Sequence, residues 1–204
     1  MFAGAASSRT AVAAGPPDFA AAESEAVGLL QAYLRVNTTN PPGNERLAAD
    51  FFKEIFDREG IESRIYDLGN GRSNILARLP GNGTMRPLLL LNHLDVVPAD
   101  AERWTVPPFS GDIRDGYVWG RGATDMKGTA ICQLVTLLLL KRSGVSLDRD
   151  VIFLGTADEE DGKDNGVAAM LDRYRSDLRD AEYCLTEGNT ISVEDGRTVA
   201  WEVD

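Results

Sequence analysis

Several things are scarce in this 204-residue sequence, and each scarcity excludes something. There are two cysteines, Cys132 and Cys184. They lie far apart and fit no cysteine spacing of a metal site. Each sits in an apolar stretch, which predicts buried free thiols rather than a disulfide. Two cysteines leave the redox compartment open. No block of lysine or arginine occurs, and the formal net charge is −11. A nucleic-acid binder needs a basic face, so that class is set aside. No run of roughly 18 uncharged apolar residues occurs, so no membrane span is expected. The most apolar stretch, 134–140, is short, contains Thr136 and ends at Lys141 and Arg142. Histidine occurs once, at position 93. There is no internal repeat.

What is there is ordinary globular composition, 43% hydrophobic and 26% charged, enough for a buried core. Residues 1–22 are rich in Ala, Gly, Ser and Pro and lack the apolar core of a signal peptide. They read as a flexible leader, with the ordered domain spanning 23–204. The location, cytoplasmic or exported, stays open. Val27, Leu30 and Leu34 share a helical face and predict a helix over 24–36. A turn at 38–44 stops it. Leu47, Phe51 and Ile55 predict a second helix over 45–59, with Gly60 at its C-cap.

The period then changes to that of strands. Short strands are expected at 63–68 and 74–79, around the turn at Gly69 to Arg72. The four leucines in 87–92 suit a strand buried on both faces. A long helix at 125–142 is followed by a buried strand at 151–155 and a helix at 165–175. Further strands are expected at 183–186, 191–193 and 199–203. Alternating strands and helices imply an α/β layer with a mixed or largely parallel sheet. In such sheets ligands collect beyond the carboxyl ends of the strands. His93 and Asp95, then Asp158, Glu159 and Glu160, then Glu187 all follow strands, and Asp125 opens the long helix.

Taken singly these clusters are weak. A lone histidine is more often structural than a ligand, although Asp95 two residues on could orient an imidazole bound to metal. Two glycines before Asp125 let the chain bend tightly, but a helix cap would look the same, and the spacing fits neither a dinucleotide nor a P-loop motif. Four adjacent acids, 158–161, repel one another unless something positive sits there. Two neighbouring glutamates suit a division of labour, one holding metal and the other accepting a proton from water. Glu187 alone is an ordinary loop acid.

Together they are specific. His93-Leu-Asp95-Val-Val-Pro98, Trp104, Pro107-Pro-Phe-Ser-Gly111, Asp115-Gly-Tyr, Gly120-Arg-Gly-Ala-Thr-Asp-Met-Lys-Gly128, Asp158-Glu-Glu160 and Glu187-Gly188 occur in an ordered series. This series, with Thr38-Thr-Asn-Pro-Pro-Gly43, resembles the two-zinc aminoacylase, carboxypeptidase S, glutamate carboxypeptidase and succinyl-diaminopimelate desuccinylase family over nearly all of 24–190. The resemblance implies a three-layer zinc-exopeptidase-like catalytic domain. It implies a hydrolase cleaving an amide bond of an N-acyl amino acid or small peptide. It assigns His93 and Glu187 to one zinc and Glu160 to the other. Asp125 would bridge both, with a cis link to Met126. Asp95 would orient His93, and Glu159 would be the general base. Cobalt or manganese could replace zinc, because carboxylate-rich sites discriminate poorly.

The pattern also breaks. The family uses one more histidine beside Glu160, and this chain has none to supply. Family members also insert a lid and dimerisation domain after this region, then complete the catalytic domain. The chain is therefore expected to be an incomplete catalytic domain, the full form a homodimer through the lid. The alternative is a catalytically inactive fragment with at most one weak metal site. An unrelated two-metal phosphoesterase is disfavoured by the few basic residues near the motifs.

Overall fold

The computed structural model describes residues 17–162, 165–178 and 180–188, and the backbone of 191–194 and 197–201. Two helices open the fold, α1 (Phe19–Leu34) and α2 (Glu45–Arg58). Helix α1 starts five residues before the expected position, because the Asp18 carboxylate accepts the Ala21 N–H at 3.0 Å and caps it. The part of the expected leader at 19–22 is thus helical, with Ala22 buried; residues 1–16 lie outside the described residues. On α2 the helical period is as expected but the buried face is shifted. Ala48, Phe52, Ile55 and Phe56 face the core, whereas Leu47 is 53% exposed. The rings decide this, since Phe52 and Phe56 both pack on Phe153, at 5.0 and 5.4 Å between centroids.

Strands β1 (Glu62–Gly69), β2 (Arg72–Leu79) and β3 (Leu88–His93) follow, then a small hairpin, β4 (Asp112–Arg114) and β5 (Tyr117–Trp119). The hairpin was not anticipated; its strands are three residues each, too short to show a period. A kinked turn over Ala123–Lys127 leads into α3 (Gly128–Ser143). Then come β6 (Val151–Thr156), α4 (Gly166–Arg173), β7 (Tyr183–Leu185) and a separate pair, β8 (Ile191–Glu194) and β9 (Arg197–Trp201). Residues 202–204, including the end of the last expected strand at Val203, lie outside the described residues.

The main sheet has the order β1-β2-β6-β3-β7. Its β1/β2 and β2/β6 pairs are antiparallel, while β3/β6 and β3/β7 are parallel. The sheet is therefore mixed, with a parallel half. Alternation along the strands sends side chains into two cores. Ile75, Ala77, Leu90 and Phe153 join the cluster with α1, α2 and α3. Leu76, Leu89, Ile152 and Leu154 join Met170 of α4 on the other side. Helices on both faces explain why β3 and β6 are continuous apolar runs.

The stretch Ala123–Ser143 is long and apolar enough to cross a bilayer by length and composition. Here half of it is buried inside the protein, with Ile131, Leu134 and Leu137 in the core. Both cysteines are free thiols, as expected, but both are exposed rather than buried. Cys132 shares the outer face of α3 with Thr136, and Cys184 lies on β7, an edge strand whose three residues are all exposed. An apolar neighbourhood in sequence does not say which face of a helix or sheet edge a side chain takes.

Candidate metal centre

Three parallel strands end at one rim. His93 is the last residue of β3, in register with Thr156 at the end of β6. Asp158, Glu159 and Glu160 begin two residues after β6, and Glu187 lies two residues after β7. Asp125 arrives from the kink before α3. There Gly122 has φ +82°, and a Cβ on it would lie 2.6 Å from Val96 Cγ1, so only glycine fits. Asp125 itself is extended (φ −115°, ψ 103°), and its bond to Met126 is cis. Behind the kink, the fully buried Lys127 donates to the carbonyls of Tyr33 (3.2 Å) and Val36 (2.6 Å), tying the turn to the end of α1.

All six expected site residues come together. His93 Nε2 lies 2.9 Å from Asp125 Oδ1 and 3.1 Å from Glu187 Oε1. Ligand atoms of His93, Glu159 and Glu187 fall within 4.8 Å of one another, as do those of His93, Asp125 and Glu160. Either group could hold a metal ion, and His93 belongs to both. The other ring nitrogen, Nδ1, sits 3.0 Å from the backbone carbonyl of Asp95 and 3.5 Å from its carboxylate. The carbonyl is the nearer partner. An Nδ1–H donated to it leaves Nε2 to face the acids.

The Asp95 carboxylate is fully buried and has further work. It accepts the N–H groups of Glu159 (3.1 Å) and Glu160 (3.0 Å) and the Asn40 amide (2.7 Å). Asp95 thus holds the acidic loop as well as the imidazole.

Electrostatics fit a cation. Burial by itself lowers the His93 pKa, but hydrogen bonds to Asp95 and Asp125 and the charges of Glu187 and Asp95 raise it to about 10. Burial raises Glu160, and the Asp125 charge adds to it. Burial also raises Glu187, with Asp125 and Glu159 adding against the opposing pull of His93. At Asp95 burial pushes upward too, but hydrogen bonds from His93, Asn40, Glu160 and Glu159 hold the carboxyl below its ordinary range. These acids oppose one another's ionisation, and a divalent ion relieves that repulsion.

The positive group the acidic run calls for is Arg72, the first residue of β2. Its Nη1 lies 2.8 Å from Glu45 Oε1 and 3.0 Å from Asp158 Oδ1, all three side chains being buried. Asp158 adopts a left-handed conformation (φ +59°), and its N–H also reaches Glu45 Oε1 at 3.3 Å. Glu45, Arg72, Asn40 and Asp158 had been given no role from the sequence. The only signal for them was the Thr38–Gly43 motif and the need for a cation beside the acids. Replacing Arg72 by Met leaves two buried carboxylates without this partner. A destabilisation of about 3–5 kcal/mol is expected by urea unfolding of the metal-free chain. A loss below about 1 kcal/mol, typical of an exposed pair, would show that the network is not closed to water.

Similarity to known proteins agrees with this geometry. Residues 89–200 match the family described as peptidase family M20/M25/M40. A probable succinyl-diaminopimelate desuccinylase of Staphylococcus aureus is 35% identical over 159 residues, 76% of this chain and 38% of that protein. Aminoacylase-1 of Sus scrofa is 33% identical over 168 residues, 81% of this chain and 41% of that protein. The crystal structure of an M20 family metallo-carboxypeptidase from Sulfolobus solfataricus superposes with a TM-score of 0.70 at 26% identity, covering 80% of this chain and 37% of that one. The chain spans about two fifths of the length of the curated relatives it matches. With more than half of its residues inside the family match and the same α/β architecture, the chain belongs to peptidase family M20/M25/M40.

Proposed function

We propose that this chain carries the ligands of a two-zinc centre that hydrolyses the amide bond of an N-acyl amino acid or small peptide. The observation that carries the reading is the convergence of one imidazole and four carboxylates into two overlapping ligand groups at the rim of the parallel strands. Imidazole with carboxylates is a donor set suited to zinc. In this reading His93 and Glu187 would hold one ion and Glu160 the other, Asp125 would serve both, and the His93 imidazole lies within ligand distance of the Glu160 group as well.

Zinc, when bound, polarises the scissile carbonyl and acidifies water. The chain's own residues do the rest. Asp95 fixes the His93 ring and, through the N–H groups of Glu159 and Glu160, the acidic loop. The Glu159 carboxylate, exposed to the site, takes the proton of the attacking water and passes it to the leaving amine. The cavity beside the cluster, about 540 Å³, is lined by Leu91, Met126 and Val167 as well as His93, Glu159 and Glu187. Apolar and polar walls together suit an acyl group or amino-acid side chain held next to a reacting amide.

A second reading, one metal without turnover, is favoured by the same histidine serving both ligand groups. Zinc calorimetry on the purified chain, with hydrolysis of N-succinyl and N-acetyl amino acids, dipeptides and a phosphate ester assayed in parallel, separates them. Two zincs and chelator-sensitive amide hydrolysis support the first reading, and one zinc without hydrolysis supports the second. Phosphate-ester hydrolysis alone would sink both. The calorimetry also has a pH signature. His93 stays protonated up to about 10 in the metal-free state, and zinc requires it neutral. Binding at pH 7 is therefore expected to release a proton, and affinity to rise with pH by up to about tenfold per unit. Equal heats in buffers of different ionisation enthalpy would contradict this.

A further inference from the structure

We propose that Asn40 is a positioning residue for the metal centre, clamping Asp95 to Asp158 and thereby fixing both the His93 ring and the Glu159–Glu160 backbone. The inference rests on the metal-centre reading and concerns a residue that touches none of the proposed ligands directly.

Asn40 is 2% exposed, and every polar atom of its side chain is used. Its Nδ2 gives one hydrogen to Asp95 Oδ2 and the other to Asp158 Oδ1, each at 2.7 Å. Its Oδ1 accepts from Arg72 Nη2 at 3.0 Å. Two carboxylates on one side and a guanidinium on the other permit only this orientation of the amide. No other neutral side chain of this size offers two donors and an acceptor in one plane. An aspartate would set a third negative charge between two buried ones.

The backbone holds the amide in place. The Asn40 N–H donates to the Val96 carbonyl at 2.9 Å, Val96 N–H donates to the Thr38 carbonyl at 3.1 Å, and the Thr38 hydroxyl donates to the Leu94 carbonyl at 2.6 Å. Segment 38–40 is thus laced along 94–96, which places Asn40 beside Asp95. From Asp95 the effect divides. One branch reaches His93 Nδ1, through the 3.5 Å carboxylate contact and the adjacent carbonyl. The other reaches the N–H groups of Glu159 and Glu160. Holding Asp158 at the same time pins the left-handed residue from which both glutamates depart. One amide therefore sets the relative position of the proposed base, one carboxylate ligand and the imidazole. Removing a group that orients a metal ligand typically costs roughly 10–100-fold in affinity, and Asn40 stands one contact behind such a group, Asp95.

The test is zinc affinity, measured by competition with a chromophoric chelator, for the unaltered chain, Asn40→Ala, Asp95→Asn and the double variant. Ile55→Val, a core change distant from the site, serves as the destabilised control. Asn40→Ala is expected to weaken zinc binding roughly 10–100-fold. The double variant should lose less than the product of the two single losses, because part of what Asn40 does passes through Asp95. Ile55→Val should lower the melting temperature without moving the affinity. Should Asn40→Ala fail to give a folded circular-dichroism spectrum, Asn40→Ser, which keeps a hydroxyl donor, decides on the same criterion. Affinity within about twofold of the unaltered chain, or losses that multiply in the double variant, would overturn the inference while leaving the metal centre standing. If the unaltered chain binds no zinc, the metal-centre reading falls and this inference with it.

Discussion

Glu159→Gln is expected to lower amide hydrolysis about 10²–10⁴-fold in the protein that carries this sequence, with zinc affinity almost unchanged. The substitution keeps the shape of the side chain and removes only its capacity to take up a proton. The fold should not notice it. Glu159 is exposed, and the part of it that is held is the backbone N–H, donated to Asp95 at 3.1 Å whatever the side chain. The result that matters is a split between two readouts. Turnover lost with zinc retained places Glu159 in proton transfer. Turnover and zinc lost together would make it a ligand, which its proximity to His93 and Glu187 also allows geometrically. Full activity in the Gln variant would remove the proposed mechanism.

His93→Ala is expected to abolish specific zinc binding rather than halve it, a loss greater than about 100-fold. Both ligand groups share this one imidazole, so no group keeps a nitrogen donor when it is removed. The remaining carboxylates favour harder ions bound through oxygen. The substitution also takes a positive charge from among acids that already oppose one another's ionisation. The metal-free variant should therefore be less stable at neutral pH, where His93 is protonated, than its lost packing alone predicts. Calorimetry with zinc reads the first effect and thermal unfolding in chelator the second. A variant that binds zinc with the original stoichiometry and affinity would assign the metal to carboxylates alone, and the two-group scheme would have to be abandoned.

Much of the fold was legible because its signals are local. The leucines of β3 and the apolar run of β6 announce strands covered on both faces, and the helices on the two sides of the sheet are the reason. Helix α2 was legible by period, and Ile55 is buried as expected, yet most of its buried face is displaced by one residue. Leu47 and Phe51 recur as regularly as Ala48 and Phe52, and only the ring waiting on β6 chooses between the two rows. The cysteines went wrong for a similar reason. The β4-β5 hairpin and the early start of α1 rest on a three-residue ladder and on a single cap at Asp18, signals too short to read as a pattern.

The candidate site divides in the same way. His93, Asp95, Asp125, Glu159, Glu160 and Glu187 could be named from the sequence, since each follows a strand or opens a helix within a recognisable short motif. Strand direction then requires them to share a rim, because β3, β6 and β7 run parallel. The groups behind them could not be named. Arg72 opens β2, 86 positions before Asp158, and Asn40 lies 118 positions before it in a proline turn. Nothing in either segment reports the distant carboxylates it will meet. Local sequence determined the element types, the family and the acids and imidazole that gather at the rim, because periodicity and motif spacing act over a few residues. The buried hydrogen-bonded frame was decided by tertiary structure alone. Burial demands a partner for every charge, and which residue supplies that partner depends on how strands far apart in sequence are brought together.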